Sequence, residues 1–218
     1  MTTSEKVYST EIIGHRWLST KTFEIRLRRP AAFSFKPGQR ISLRYKDAER
    51  DYSLASSPDE SDLVLCIRYV ENGRLSRDLG DAKIETRLSF HGPHGYFTFK
   101  PSGRSTVWVA SGTGIAPFRA MVRSGMTPEI LLHGVETPAD LYYANELRPI
   151  AGNYVPCLSQ PGQAAAVFTG RVTDYLHKHL PPDNYDFYLC GNSEMIRDVM
   201  ALVDEQFEGS FVYTESFY

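Results

Sequence analysis

Val107-Trp108-Val109-Ala110-Ser111-Gly112-Thr113-Gly114-Ile115-Ala116-Pro117 reads as an apolar strand, a glycine-rich turn and the first turn of a helix, where proline is tolerated. Glycines let backbone approach a ligand closely, and a helix start favours negative charge, so the stretch suits a pyrophosphate. It is not the G-x-G-x-x-G pattern, because Pro117 takes the third glycine position. A dinucleotide here would sit differently from a standard Rossmann ligand. Downstream, short apolar runs at 129–133, 154–158, 187–190 and 211–214 alternate with helical patterns at 116–123, 139–147, 172–179 and 194–207. That alternation predicts a parallel sheet covered on both faces, with ligands at the carboxyl ends of its strands.

Upstream the texture differs. Strand-like segments at 8–14, 22–27, 40–45, 52–55, 63–69, 87–91 and 96–99 are separated by turn residues such as Pro37-Gly38, with a short helix expected near 75–79. In Thr22-Phe23-Glu24-Ile25-Arg26-Leu27 every second residue is apolar, as in a half-buried strand. The chain of 218 residues therefore divides into an antiparallel β-barrel, residues 1–100, and an α/β parallel-sheet domain, residues 101–218, joined near Lys100-Pro101-Ser102-Gly103.

Composition narrows the function classes. No apolar run nears the roughly 18 residues of a membrane span, and no charged-then-apolar leader follows Met1, so the expected compartment is the cytoplasm. Cys66, Cys157 and Cys190 are too few for a four-thiolate iron–sulfur cluster, and no metal or nucleic-acid site is expected. Electron transfer, if it occurs, falls to an organic cofactor. Residues 1–104 hold 18 Lys and Arg against 13 Asp and Glu, a net +5, while residues 105–218 hold 6 against 13, a net −7. The split fits a basic surface that steers an acidic protein, and equally a scattered set of solvated strand charges.

Three further clusters carry chemistry. In Arg50-Asp51-Tyr52-Ser53 a strand would place Arg50 and Tyr52 on one face and Asp51 and Ser53 on the other. A cation for a pyrophosphate, an aromatic for an isoalloxazine ring and a hydroxyl for its N5 are what a flavin nucleotide needs, although a surface strand reads the same way. Gly73-Arg74-Leu75-Ser76 is a glycine turn opening a helix, a phosphate seat or an ordinary capped helix. Tyr188-Leu189-Cys190-Gly191-Asn192-Ser193-Glu194-Met195 ends a strand in Cys-Gly at the ligand edge of the sheet, where Cys190 is either functional or core filler.

Taken in order, these clusters resemble the ferredoxin–NAD(P)+ reductase superfamily over nearly the whole chain. Residues 50–53 resemble its R-x-Y-[ST] flavin motif, Leu65-Cys66-Ile67-Arg68 the following flavin-contacting strand, and Gly73 to Ser76, with Leu75, the G-x-x-S pyrophosphate turn. Gly92-Pro93-His94-Gly95 resembles G-P-x-G, Gly112, Thr113, Gly114 and Pro117 the G-T-G-I-A-P nucleotide loop, Cys190-Gly191 the C-G step, and Glu215-Ser216-Phe217 the terminal E-x-aromatic. The resemblance implies a tightly bound FAD and NADH or NADPH as co-substrate. It implies that the nucleotide lies along residues 112–117, Ser159, Arg171 and 191–195 including Met195. The nicotinamide would displace Phe217 or Tyr218 and meet the flavin between Ser53 and Cys190, with Glu215 tuning geometry or relaying a proton. It also implies an acidic ferredoxin-like or oxygenase-system acceptor. The alternatives are a free-flavin reductase and a non-catalytic electron-transfer module. With this length and three cysteines no fused ferredoxin domain is expected in this chain, and Ser159-Gln160 stands where NADP-preferring members carry Ser-Arg, which favours NADH, with Arg171 a partial substitute.

Overall fold

A computed structural model describes residues 6–163 and 167–217. The first half forms six antiparallel strands, β1 (Val7–Ser19), β2 (Thr22–Arg28), β3 (Arg40–Tyr45), β4 (Ala48–Ser53), β5 (Asp62–Arg68) and β6 (Arg87–His94), with helix α1 (Arg74–Gly80) after β5. Their order is β4-β3-β6-β1-β2-β5. The two edge strands meet through a bridge between Leu54 and Leu65, extended by Ala55 N–H donating to the Val64 carbonyl at 2.8 Å. That seam closes the sheet into a barrel, which protects edges that would otherwise stay unpaired. Phe23, Ile25, Leu27, Ile41, Leu43, Leu65, Ile67 and Phe90 fill the interior. The alternation seen at residues 22–27 thus reports a real inside and outside.

The second half contains β7 (Ser105–Ser111), β8 (Ile130–Val135), β9 (Asn153–Leu158), β10 (Phe168–Thr169), β11 (Tyr185–Asn192) and β12 (Phe211–Phe217), with helices α2 (Ala116–Arg123), α3 (Ala144–Leu147), α4 (Val172–His179) and α5 (Ser193–Gln206). The strands are all parallel in the order β10-β9-β8-β7-β11-β12. Strand order reverses at β7, so the loops leaving β7 and β11 diverge and open a crevice between them. One face of the sheet buries Val109, Leu132, Phe187 and Leu189 under α4 and α5. On the other face, Trp108, Phe118 and Tyr188 pack in one cluster with Ala55, Val64, Cys66 and Phe97 from the barrel side, so the two halves share a core.

Three expectations change. Residues 96–99 form no strand, and the strand expected at 52–55 starts earlier, as β4 from residue 48 to residue 53. Two-residue β10 was not anticipated. The helix expected over 139–147 is interrupted: Tyr143 takes φ 59°, and only Ala144–Leu147 is α-helical. A non-glycine residue in that region is disfavoured. Tertiary bonding compensates: the Tyr143 hydroxyl donates to buried Glu24 at 2.9 Å, and the Arg119 guanidinium lies 4.6 Å from its ring centre.

Candidate flavin and nucleotide cleft

One cleft of about 1340 Å³ runs from the barrel seam to the carboxyl edge of the parallel sheet. A single small-molecule site occupies about 300–1,000 Å³, so the cleft has room for two nucleotides. Arg50, Asp51, Tyr52, Ser53, Cys66, Arg68, Gly73, Leu75 and Ser76 line it from the barrel, and Gly112, Thr113, Ser159, Arg171, Met195, Glu215 and Phe217 from the other half. Barrel closure brings β4 and β5 together, which is why two motifs about fifteen residues apart form one wall.

At the seam, the Ser53 hydroxyl is buried and has no hydrogen-bond partner among the described residues. Such a group costs free energy unless a ligand atom meets it, which fits a flavin ring nitrogen. Tyr52 lies against the barrel core, and burial raises its phenol pKa, so the ring presents a neutral face. Exposed Arg50 spends one N–H on the Glu49 carbonyl at 2.8 Å and keeps its charge. In the following turn the Ser76 hydroxyl oxygen accepts the Val70 N–H at 3.2 Å, leaving its proton for an acceptor in the cleft. A Cβ on Gly73 would come within 2.7 Å of that oxygen, so a larger residue would have to turn the Ser76 hydroxyl away from Val70. These residues fit an FAD.

The nucleotide loop is locked by two close approaches. A Cβ on Gly114 would lie 2.2 Å from the Cys190 carbonyl oxygen, and one on Gly191, at φ 141°, would lie 2.0 Å from the Ser111 hydroxyl oxygen. That hydroxyl in turn accepts the Asn192 N–H at 3.0 Å, and Asn192 caps α5 by accepting the Met195 N–H at 2.7 Å. Gly112 differs: its φ of 53° calls for glycine, yet a Cβ there would meet nothing within 4 Å, because the space in front of it is cleft.

Several candidates sit elsewhere than the motifs suggested. Ile67 points into the barrel core, and Gly114, Pro117 and Gly191 are buried behind the cleft wall. Cys190 is fully buried, and desolvation, then the charge of Glu215, holds its thiol well above the ordinary range, so no thiolate is available. Gly114 packs against its backbone. Asp51 faces the cleft rim but is bonded to Arg40 at 2.9 Å and to Ser42. Tyr218 lies outside the described residues.

The sequence reading did not single out Arg40. Its guanidinium spans the two halves, donating to Asp51 from Nε and to Glu215 at 2.7 Å from Nη1. Burial lifts the Glu215 carboxyl above its usual range and Arg40 pulls it back. Residues 175 positions apart leave no spacing signal. Buried His133, at the end of β8 behind Gly112, was missed for the same reason.

A closed barrel with a flavin-shaped seam, followed by a parallel sheet with a glycine loop at its switch point, defines a two-domain oxidoreductase for a flavin and a nicotinamide nucleotide. The family models agree: residues 6–99 match the oxidoreductase FAD-binding domain and residues 108–201 the oxidoreductase NAD-binding domain. The chain belongs to the ferredoxin reductase superfamily. It is 30% identical, over 94% of its length, to the toluate 1,2-dioxygenase electron transfer component of Pseudomonas putida, covering 65% of that protein. It is 32% identical, over 91% of its length, to the naphthalene 1,2-dioxygenase system ferredoxin–NAD(P)+ reductase component of Pseudomonas putida, covering 64% of it. The chain thus spans less than two thirds of these relatives. Among solved structures, a ferredoxin NADP+ reductase from Neisseria gonorrhoeae with bound FAD and NADP superposes with TM-score 0.86 at 20% identity, covering 99% of this chain and 100% of that one. At that identity the match speaks for the fold alone.

Proposed function

We propose that the protein is a reductase component that takes hydride from NADH onto FAD and passes electrons to an acidic ferredoxin-like or oxygenase-system acceptor in the cytoplasm. The observation that carries this is the unpartnered Ser53 hydroxyl at the barrel seam, in one cleft with the Gly112 loop. When bound, FAD supplies the step from two-electron to one-electron chemistry. Arg50, Ser76 and the Gly73 turn would hold its phosphates, Tyr52 would face its ring, and the Ser53 hydroxyl would be available to a ring nitrogen. Thr113, Ser159 and Met195 line the path of the nucleotide, and Phe217 stands where the nicotinamide enters. The choice of NADH is supported by charge. The cleft that Ser159 and Arg171 line also carries Glu136, Asp140, Glu194 and Asp198, with Lys21 paired to Glu136 at 3.1 Å and Arg171 3.9 Å from Asp198. A 2′-phosphate there would face a net negative wall. Among the described residues, no helix is long and apolar enough to cross a membrane.

Titration of the purified protein with NADH and with NADPH, followed by the flavin absorption band, tests the reading. Bleaching should occur at concentrations about tenfold lower with NADH. A colourless protein, or one whose bound flavin neither nucleotide bleaches, would refute it.

The acidic acceptor has support from the barrel's outer face. Many of the 18 basic side chains in this half are paired locally, as in Arg16 with Glu24, Arg28 with Glu11 and Lys46 with Asp78, which leaves the net +5 unchanged. A groove of about 530 Å³ nevertheless gathers Arg28, Arg29, Arg44, Lys46 and Arg87 around one carboxylate, Glu11. Reversing exposed Arg44 and Arg87 to Glu is expected to lower kcat/KM for an acidic [2Fe–2S] ferredoxin about tenfold at low salt, and to flatten its salt dependence. Reduction of a neutral quinone should not change. Equal loss with both acceptors, or with neither, would count against an acidic partner at this face.

A further inference from the structure

We propose that His133 is a positioning residue for the nicotinamide nucleotide, acting from behind the sheet on the peptide plane between Gly112 and Thr113. This rests on the reading of the Gly112 loop as the nucleotide's seat. His133 ends the buried part of β8, beside Ala110 on β7 and Pro156 on β9, and none of its surface reaches solvent. Both ring nitrogens are bonded: Nε2 lies 3.1 Å from the Gly112 carbonyl oxygen and Nδ1 lies 3.0 Å from the Tyr154 hydroxyl.

The partners dictate the tautomer. A carbonyl oxygen can only accept, so Nε2 carries the proton, and bare Nδ1 accepts from the Tyr154 hydroxyl. Burial drives the imidazole pKa down to about 4, against the upward pull of the Gly112 bond and the Asp140 charge, so the ring is neutral at ordinary pH. Burial also raises the pKa of Tyr154, which keeps the donating proton in place.

In a trans peptide the C=O and the following N–H point in opposite directions. Drawing the Gly112 carbonyl inward therefore turns the Thr113 N–H outward, toward the cleft that Gly112 and Thr113 line. Glycine populates left- and right-handed φ about equally, so Gly112 alone does not fix the plane that follows it, and the His133 bond selects one orientation. A prealigned N–H donates to a phosphate oxygen without first paying to order the loop.

Calorimetric titration with NAD+ of the flavin-loaded protein and of its His133→Phe, His133→Gln and Tyr154→Phe variants tests this, with stopped-flow flavin reduction alongside. In His133→Phe, NAD+ affinity should fall about tenfold, flavin content should match the parent, and the limiting reduction rate at saturating NADH should stay within about twofold. His133→Gln, whose amide can still donate to Gly112, should recover to within about threefold of the parent, and Tyr154→Phe should fall between. Parent-like NAD+ binding in His133→Phe, or a glutamine variant as weak as the phenylalanine one, overturns the inference. If His133→Phe does not fold, the comparison of His133→Gln with Tyr154→Phe decides: parent-like binding by Tyr154→Phe, or a Gln variant weaker than it, overturns the inference. Failure of the parent itself to bind NAD+ would instead overturn the nucleotide reading.

Discussion

Gly114→Ala is expected to remove most dinucleotide binding while leaving the flavin in place. The new Cβ would lie 2.2 Å from the Cys190 carbonyl oxygen, 2.6 Å from its carbon and 2.7 Å from the Gly191 Cα. These are backbone atoms of a strand hydrogen-bonded on both sides, so the loop must lift instead. Overpacking of this kind costs about 1–3 kcal/mol. Charged to the loop, that is about a tenfold to hundredfold loss of NAD+ affinity by calorimetry. Gly112→Ala provides the contrast: it meets open space, and its cost is only that of a left-handed alanine, about 1–2 kcal/mol. If Gly114→Ala binds NAD+ as the parent does, the loop is not the seat.

Arg50→Ala should give a folded but largely colourless protein. A charge-assisted bond to phosphate contributes about 1.5–3 kcal/mol, so losing one weakens FAD by about ten- to a hundredfold or more. Arg50 is exposed and, among the described residues, its guanidinium is hydrogen-bonded only to its neighbour's carbonyl, so the melting temperature of the flavin-free protein should hardly move. The ratio of flavin to protein absorbance after desalting measures the effect, with Arg50→Lys intermediate. Full retention of flavin by Arg50→Ala would exclude it as the phosphate anchor.

Local patterns announced most of the fold. Alternation at residues 22–27 and the apolar run at 107–110 each follow from which faces are buried, and burial acts on neighbouring residues. Long-range bonds were invisible. Tyr143 breaks a helix because Glu24, 119 positions away, accepts its hydroxyl proton. From the sequence Cys190 was either functional or core filler, and only the fold shows it fully buried with Gly114 packed against its backbone. The site was legible where backbone geometry demands a residue type, as at Gly112 and Gly191, and illegible where tertiary packing supplies the partner, as for Arg40 and His133.

The shared cluster of Trp108, Phe118 and Tyr188 with Val64, Cys66 and Phe97 has a consequence for recombination. A chimera joined in the connection after β6 would inherit, from different parents, the two ends of the Thr22–Tyr142 bond at 2.7 Å, the Arg119 bond to the Ala55 carbonyl at 2.8 Å and the Arg123–Glu60 pair at 2.7 Å. The halves carry separate ligands but are not interchangeable cassettes. Donor and recipient would have to match at these seams before either cofactor could be exchanged, and in a lineage their substitutions are expected to travel together.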